Sequence, residues 1–319
     1  MSSGSRLAVG KLAQLTDDWT GSFGAFCGVL RPQTALIDPQ YFGFVVRGTQ
    51  FRQRIEFLAQ GTSIKNLSKE HLLGFSFVLP PLHEQRRIAR ILSTIQKAAK
   101  SSDEEVRASR ALRRSVLTTL LRDAEGSAST LPLEDVAKIE RGRFTHRPRN
   151  DPAFYDGETP FIQTGDVTRG ASTGGRIRDY SQTLNQRGLE VSRVFSAGTI
   201  AITIAANIGF AAMLTFPAAF PDSVIAITPT DAVDAEYLNY YLSTQREEMD
   251  RRAPRGTQKN INIEFLRPWP VLVPSPTVQR AVSQAMRAVE TKIVACSQHA
   301  AALRQLFSSA LSALLELAA

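Results

Sequence analysis

The chain has 319 residues, 43% of them hydrophobic and 21% charged, with a formal net charge of +8 and only two cysteines, Cys27 and Cys296. This balance excludes a disordered chain and a disulfide scaffold, and no run of about 18 apolar residues offers a helical membrane span. The start, MSSGSRLAVGKLAQL, lacks an apolar stretch of signal-peptide length, so a reducing cytoplasm and no membrane partner are expected; the basic excess points to a polyanion.

Taken in chain order, residues 1–82 read as a partial domain: a short helix at Asp38-Pro39-Gln40-Tyr41-Phe42, a glycine loop at Gly61-Thr62-Ser63-Ile64-Lys65-Asn66-Leu67, then a short strand Phe77-Val78-Leu79 running into Pro80-Pro81. Residues 83–125 form one long predicted helix. Its 3,4 spacing picks out Leu92, Ile95, Ala99, Ser102, Val106, Ser109, Arg113, Val116 and Leu120, the seam of a coiled coil weakened by its polar members. A linker follows, Ala124-Glu125-Gly126-Ser127-Ala128-Ser129-Thr130.

Residues 131–275 read as a complete mixed α/β domain. A short helix at Leu133-Glu134-Asp135-Val136-Ala137 leads into a basic loop from Arg141 to Asn150. Strand-like runs alternate with glycine turns at Pro160–Asp166, Thr199–Ile204, Gly209–Met213 and Ser223–Ile227, and a helix is expected from about Glu236 to Asp250. Residues 276–319 give a second long helix, whose seam reads Met286, Val289, Ile293, Cys296, Ala300, Leu303, Phe307, Ala310 and Leu314, apolar throughout. Two helices of about 40 residues are each roughly 60 Å long and bury such seams against each other, or in separate cores.

The two halves repeat. Asp38-Pro39-Gln40-Tyr41 is echoed by Asp234-Ala235-Glu236-Tyr237, the Gly61 loop by Gly256-Thr257-Gln258-Lys259-Asn260-Ile261, Phe77–Pro81 by Val271–Pro276, and Glu84-Gln85-Arg86 by Val278-Gln279-Arg280. About 85 strand-rich residues after Leu131 have no counterpart ahead of Asp17, so the first copy is expected to hold only its back half.

No phosphate loop, dinucleotide turn or base-methyltransferase motif occurs, and His71, His83, His146 and His299 show no metal-ligand spacing. Asp222 lacks the acidic and lysine neighbours of a metal-dependent nuclease. No catalytic residue, metal or cofactor is therefore assigned to the chain. Basic and amide side chains on loops suit phosphates and base edges instead. Candidate DNA contacts are Arg141, Arg143, Arg147 and Arg149, Gln163 and Thr164, Asn207, then Arg255, Thr257, Gln258, Lys259 and Asn260, with Lys65 and Asn66 in the first copy. As solvated loops or strand-end turns the same stretches carry no function.

With these motifs in view, the chain resembles the DNA-specificity subunit of type I restriction-modification systems, on Leu79-Pro80-Pro81-Leu82-His83-Glu84-Gln85-Arg86-Arg87-Ile88-Ala89, Thr159–Val167, Ala206-Asn207-Ile208-Gly209 and the duplicated glycine loop. The resemblance implies α/β target recognition domains joined by two long antiparallel coiled-coil helices. Leu92, Ile95, Val106, Val116, Met286, Val289, Ile293, Leu303 and Phe307 would form the helix interface. It further implies reading of a split site in double-stranded DNA and docking of methyltransferase (M) subunits and a restriction/translocase (R) subunit. S-adenosylmethionine, ATP and Mg would belong to those partners. The partial first domain implies either a truncated, inactive subunit or one completed by a second copy or companion half-subunit. A coiled-coil scaffold without DNA contacts, and a chain that is itself a nuclease or methyltransferase, are the competing readings.

Overall fold

The computed structural model describes residues 2–3, 10–15, 20–24, 27–58, 65–66, 69–126, 128–205, 207–254 and 260–316. In chain order its elements are β1 (Ser2–Ser3), α1 (Pro39–Val45), α2 (Thr49–Leu58), β2 (Lys65–Asn66), α3 (Lys69–Leu73), α4 (Leu82–Glu125), β3 (Ser129–Pro132), α5 (Leu133–Val136), β4 (Ala137–Arg141), β5 (Tyr155–Phe161), α6 (Thr164–Ser172), β6 (Arg176–Ile177) and β7 (Gln182–Leu184). There follow α7 (Gln186–Glu190), β8 (Val194–Phe195), β9 (Ile200–Thr203), β10 (Ala211–Leu214), β11 (Ala218–Ala219), β12 (Val224–Pro229), α8 (Ala235–Thr244), α9 (Arg246–Arg252), α10 (Ile263–Leu266), β13 (Pro270–Val273) and α11 (Pro276–Glu316). No helix among the described residues is long and apolar enough to cross a membrane.

Two compact units result, residues 1–106 with 296–319, and residues 107–295. The division cuts through α4 and α11, so the stretches expected as separate spacers at 83–125 and 276–319 each contribute to both units. The physical cause is that both helices lend apolar residues to the neighbouring cores. In the first unit Leu92 is buried with Tyr41, Phe44 and Ile88, and Phe307, Leu311 and Leu314 pack on them. In the second, Leu117, Leu121, Val282 and Met286 join the main core.

The second unit is built on a five-stranded sheet ordered β4-β12-β9-β10-β6, beside a four-stranded sheet β7-β5-β11-β8 and the β13-β3 pair. Its central strands are apolar continuously, as strands covered on both faces must be. Alternation still sorts the faces: Ile200, Ile202, Ile225 and Ile227 enter the core shared with α8 and the long helices. Ala201, Ala212, Val224 and Ala226 enter a second core with Val167 of α6 and Phe220.

Within each unit the long helices run antiparallel. Asp103 pairs with Arg304, the Cys296 Sγ donates to Glu105 Oε1 at 3.5 Å, and Arg113 donates to Glu290 Oε1 at 3.2 and 3.3 Å. That register places Ser109 level with Ile293 and Val294. Arg113, which on spacing alone weakens the seam, is neutralised by a carboxylate just off the seam.

The duplication holds at the level of single hydrogen bonds. Gln85, 1% exposed, accepts from the Asp38 backbone N–H at 2.8 Å and donates to the carbonyls of Pro80 and Leu36 at 2.8 and 3.1 Å. Gln279, 2% exposed, accepts from the Asp234 N–H at 2.7 Å and donates to the Pro274 carbonyl at 2.8 Å. In both copies the aspartate caps the following short helix, through Gln40 and Tyr41 N–H in one and Tyr237 N–H in the other. A buried amide thus ties helix cap, proline turn and long helix together, satisfying groups that would each cost about 1–3 kcal/mol unpaired.

Three sequence expectations are corrected. Phe77-Val78-Leu79 carries no ladder, since none of the described strands of its unit pairs with it, whereas its counterpart β13 pairs with β3. Gln163-Thr164-Gly165-Asp166 opens α6 rather than closing a strand, because Asp166 Oδ2 accepts from the Gln163 N–H at 2.8 Å. The helix expected over 236–250 is two helices broken at Gln245.

Candidate nucleic-acid interface

Antiparallel pairing brings the loops of the second unit to one end of the sheet. β12 runs opposite to both β4 and β9, so the start of β12 adjoins the ends of those two strands. At that end stand Arg141, which closes β4, Asp222 just ahead of β12, and Ala205, just past β9, which bridges to Asn260. β11 lies parallel to β5, and the Ile162 N–H bonds to the Ala219 carbonyl, so Gln163 and Thr164 emerge beside Phe220-Pro221-Asp222. The topology therefore gathers Arg141, Arg143, Arg147, Arg149, Gln163, Thr164, Asn207 and Asn260, distant in sequence, on one edge.

The four arginines are not equivalent. Arg143 is exposed as a residue yet donates through Nε and Nη2 to the Ser192 carbonyl at 3.1 and 2.6 Å, which anchors the loop. Arg141 Nε donates to the Asp222 carbonyl at 2.7 Å. Arg147 donates to the carbonyls of Phe144 and His146, both at 2.7 Å, and to Asp222 Oδ2 at 3.3 Å, while Arg149 pairs with Asp222 Oδ1. The Asp222 carboxylate is thus gripped by two guanidiniums that remain about half exposed, at 51% and 46%. His146 bonds to Asp151 at 3.1 Å and stacks on Phe154 with ring centroids 3.9 Å apart, so it braces the same loop.

Beneath the loop Phe144, Tyr155 and Phe161 form an aromatic floor. Beside it opens a cavity of about 430 Å³, rimmed by Arg149, Asn150, Gln163, Ser181 and Gln182. Gln163 Nε2 donates to Gln182 Oε1 at 2.8 Å. Thr164 sits in the first turn of α6, its carbonyl accepting from Thr168 Oγ1 at 2.9 Å.

At the β9 turn Asn207 is exposed, its carbonyl taken by Thr203 Oγ1. Gly209 has φ +76°, and a Cβ there would lie 3.2 Å from the Arg246 Cα, so the turn needs glycine on both counts. Arg246 stacks its guanidinium 4.0 Å over the Phe210 ring, is exposed, and makes no ion pair among the described residues. Sequence reasoning missed it because nothing local marks α9 as neighbour to the 207–210 turn.

Arg255, Thr257, Gln258 and Lys259 lie outside the described residues, as do Gly256, Ala206 and most of the Gly61 loop. Of that loop Lys65 and Asn66 form β2, paired antiparallel with Ser2 and Ser3. The helix-interface candidates are all shielded to some degree: Leu92, Val106, Met286 and Ile293 are buried, and Ile95, Val116, Val289, Leu303 and Phe307 are half-buried.

The least expected group is a buried polar cluster in the second unit. Glu290, 4% exposed, accepts from Arg113 and from the Tyr240 hydroxyl at 2.9 Å. Arg176 pairs with Glu236, with which Arg287 also forms an ion pair at 3.0 Å. Burial pushes the Glu290 carboxyl above its ordinary value, against the pull of Arg113. Among the described residues no group of three His, Cys, Asp or Glu side chains is placed to hold a metal.

A mixed sheet that presents arginines and amides at one end, set on paired long helices and built on a duplicated cap and proline turn, is the design of a recognition module. The chain belongs to the family of the type I restriction modification DNA specificity domain, whose profile matches residues 2–106 and 128–301. A 95-residue stretch is 38% identical to the StySPI type I restriction enzyme specificity subunit of Salmonella potsdam, covering 30% of this chain and 20% of that protein. Against the EcoKI specificity subunit of Escherichia coli K12 it is 39% identical over 95 residues, with the same coverage. The match thus spans one fifth of the length of these relatives. The S subunit of a type I restriction-modification system from M. genitalium shares the fold, with a TM-score of 0.56 at 16% identity over 88% of this chain and 73% of that one.

Proposed function

We propose that the chain is the DNA sequence-recognition subunit of a type I restriction-modification complex, with double-stranded DNA as its ligand and no chemistry of its own. The second unit meets DNA with the end of its sheet. The observation that carries this is the convergence of the Arg141–Arg149 loop, Gln163, the Asn207 turn, Arg246 and Asn260 on that one edge. Exposed guanidiniums there suit phosphates, and amides suit base edges.

On this reading the paired helices space two reading units and dock the methyltransferase subunits, and the assembly recruits the restriction subunit. S-adenosylmethionine, ATP and Mg serve those partners in the cytoplasm. The first unit contributes the other half-site, alone or completed by a second copy or companion half-subunit. The test is an electrophoretic shift with the chain co-purified with its methyltransferase subunits, comparing random duplexes with a selected split site across a salt series. Sequence preference and a steep fall with salt are expected. Binding that is flat in salt or indifferent to sequence refutes the reading, and turnover by the isolated chain refutes its non-catalytic part.

A further inference from the structure

The edge divides its polar groups into two kinds. Three of the arginine side chains are committed: Arg143 to Ser192, Arg147 to two carbonyls, and Arg147 with Arg149 to Asp222. A guanidinium that reads guanine needs a free bidentate face, and these have spent much of theirs. The glutamines are organised differently. Gln163 and Gln182 come from the β5–α6 junction and the start of β7, and their amides are joined end to end at 2.8 Å. The Gln182 Nε2 has no acceptor among the described residues. Each amide oxygen also keeps a second lone pair, so the pair offers a donor and an acceptor side by side at the rim of the cavity.

The placement is built, not incidental. Asp166, its side chain 1% exposed, accepts through Oδ2 from the Gln163 N–H at 2.8 Å and from the Ser181 hydroxyl at 3.1 Å, and through Oδ1 from Arg169 at 2.6 Å. One buried carboxylate therefore fixes both segments that carry the glutamines. Arg169 also grips Asp179 at 2.9 Å, which holds the approach to Ser181.

We infer that Gln163 and Gln182 form the base-reading element of this edge, presenting the joined donor and acceptor to the N6 and N7 of an adenine, with Asp166 as their positioning residue. Arg147 and Arg149 then hold phosphate rather than read sequence. This rests on the DNA-recognition reading above.

The experiment selects a preferred site with the chain and its methyltransferase subunits from duplexes randomised at both half-sites. It is then repeated with Gln163→Ala, Gln182→Ala, Asp166→Asn and Arg149→Ala, each checked by circular dichroism. The glutamine variants are expected to relax preference at one adenine position by about 10- to 100-fold, with the salt slope unchanged. Asp166→Asn relaxes the same position less. Replacing that adenine by 7-deazaadenine weakens the parent and leaves Gln163→Ala no weaker than before, a coupling that a merely structural role would not produce. Unchanged preference in both glutamine variants, uniform weakening with a shallower salt slope, or relaxation only in Arg149→Ala each overturns the assignment while leaving DNA recognition standing. A parent complex with no sequence preference removes the recognition reading itself, and this inference with it. Should the variants fail to fold, a parent indifferent to 7-deazaadenine at every adenine of its selected site suffices to overturn it.

Discussion

Replacing Arg113 with Met tests whether the helix pair is held by charge at its least apolar point. The Arg113 and Glu290 side chains are 16% and 5% exposed, and the Tyr240 hydroxyl and Arg176 also face the carboxylate. Methionine keeps the apolar stem and removes only the charge. Breaking a buried pair from one side costs about 3–5 kcal/mol, because the remaining ion is left without compensation. Here the carboxylate has an escape, since Glu290 can take up a proton. From an ordinary value of 4.5, doing so at pH 7 costs about 3.4 kcal/mol, and because the parent's folded carboxyl already sits above 4.5 the charge part of the loss stays below that figure. A carboxyl raised in the folded state binds its proton on folding, so stability falls as pH climbs from about 4.5 through the folded value and levels off above it. Without Arg113 that value rises further and the slope steepens. Urea denaturation followed by circular dichroism should show Arg113→Met destabilised by about 1–3 kcal/mol at pH 7 and by less than about 1 kcal/mol at pH 5. Adding Glu290→Gln should recover most of the neutral-pH deficit. An equal deficit at both pH values, or one under about 1 kcal/mol at pH 7, would show that the pair carries no such burden.

Gln279→Ala leaves the Asp234 N–H and the Pro274 carbonyl without their partner, and should cost about 2–4 kcal/mol by the same denaturation assay. Glu84→Ala, beside the equivalent Gln85, should leave the curve unchanged, because among the described residues the Glu84 side chain pairs only with Arg87 at the surface. Phe307→Asp puts a charge against Phe44, whose ring centroid is 6.1 Å away, and should lower the melting temperature of the first unit by well over 5 °C. Arg246→Ala should weaken DNA binding evenly across sequences and flatten the salt slope by about one, as loss of a phosphate contact does. Asp222→Asn should do the reverse, raising affinity for random duplexes as Arg147 and Arg149 are freed, and a gel-shift salt series reads both.

What periodicity and repetition encode was legible. The seam residues from Leu92 to Val116 and from Met286 to Phe307 are shielded, and the echo of Asp38 and Gln85 in Asp234 and Gln279 became the same set of hydrogen bonds. The repeat was readable because a buried amide that both accepts from and donates to the backbone has no equivalent substitute, whereas Glu84 and Val278 at the preceding position have no such duty. What was not legible depends on pairs far apart in sequence. Arg113 looked like a flaw in the seam because its partner lies 177 residues away, at a position that the 3,4 count skips. That Arg143 also anchors its loop was not legible, because the Ser192 carbonyl it binds lies 49 residues on. Gln163 was read as a turn because the Asp166 that makes it a helix cap also fits the strand-end pattern.

The arginine loop shows why this matters for recognition. Four arginines on a free loop would pay side-chain ordering on binding, about 0.5–1.5 kcal/mol each, and would offer specificity to nothing in particular. Here Arg143 is spent on Ser192, His146 and Tyr155 brace the turn, and Asp222 holds Arg147 and Arg149 in place before any ligand arrives. An aspartate so placed lowers the net positive charge of the edge and therefore weakens attachment to any DNA. On the proposed reading it also holds the two guanidiniums in place beside the cavity that the glutamine pair rims, so that a duplex satisfying the arginines would bring its base edges to the amides. Affinity given up to Asp222 is lost on every sequence alike, while register gained from it helps only where the bases match, and that difference is what separates a reader of sequence from a basic surface.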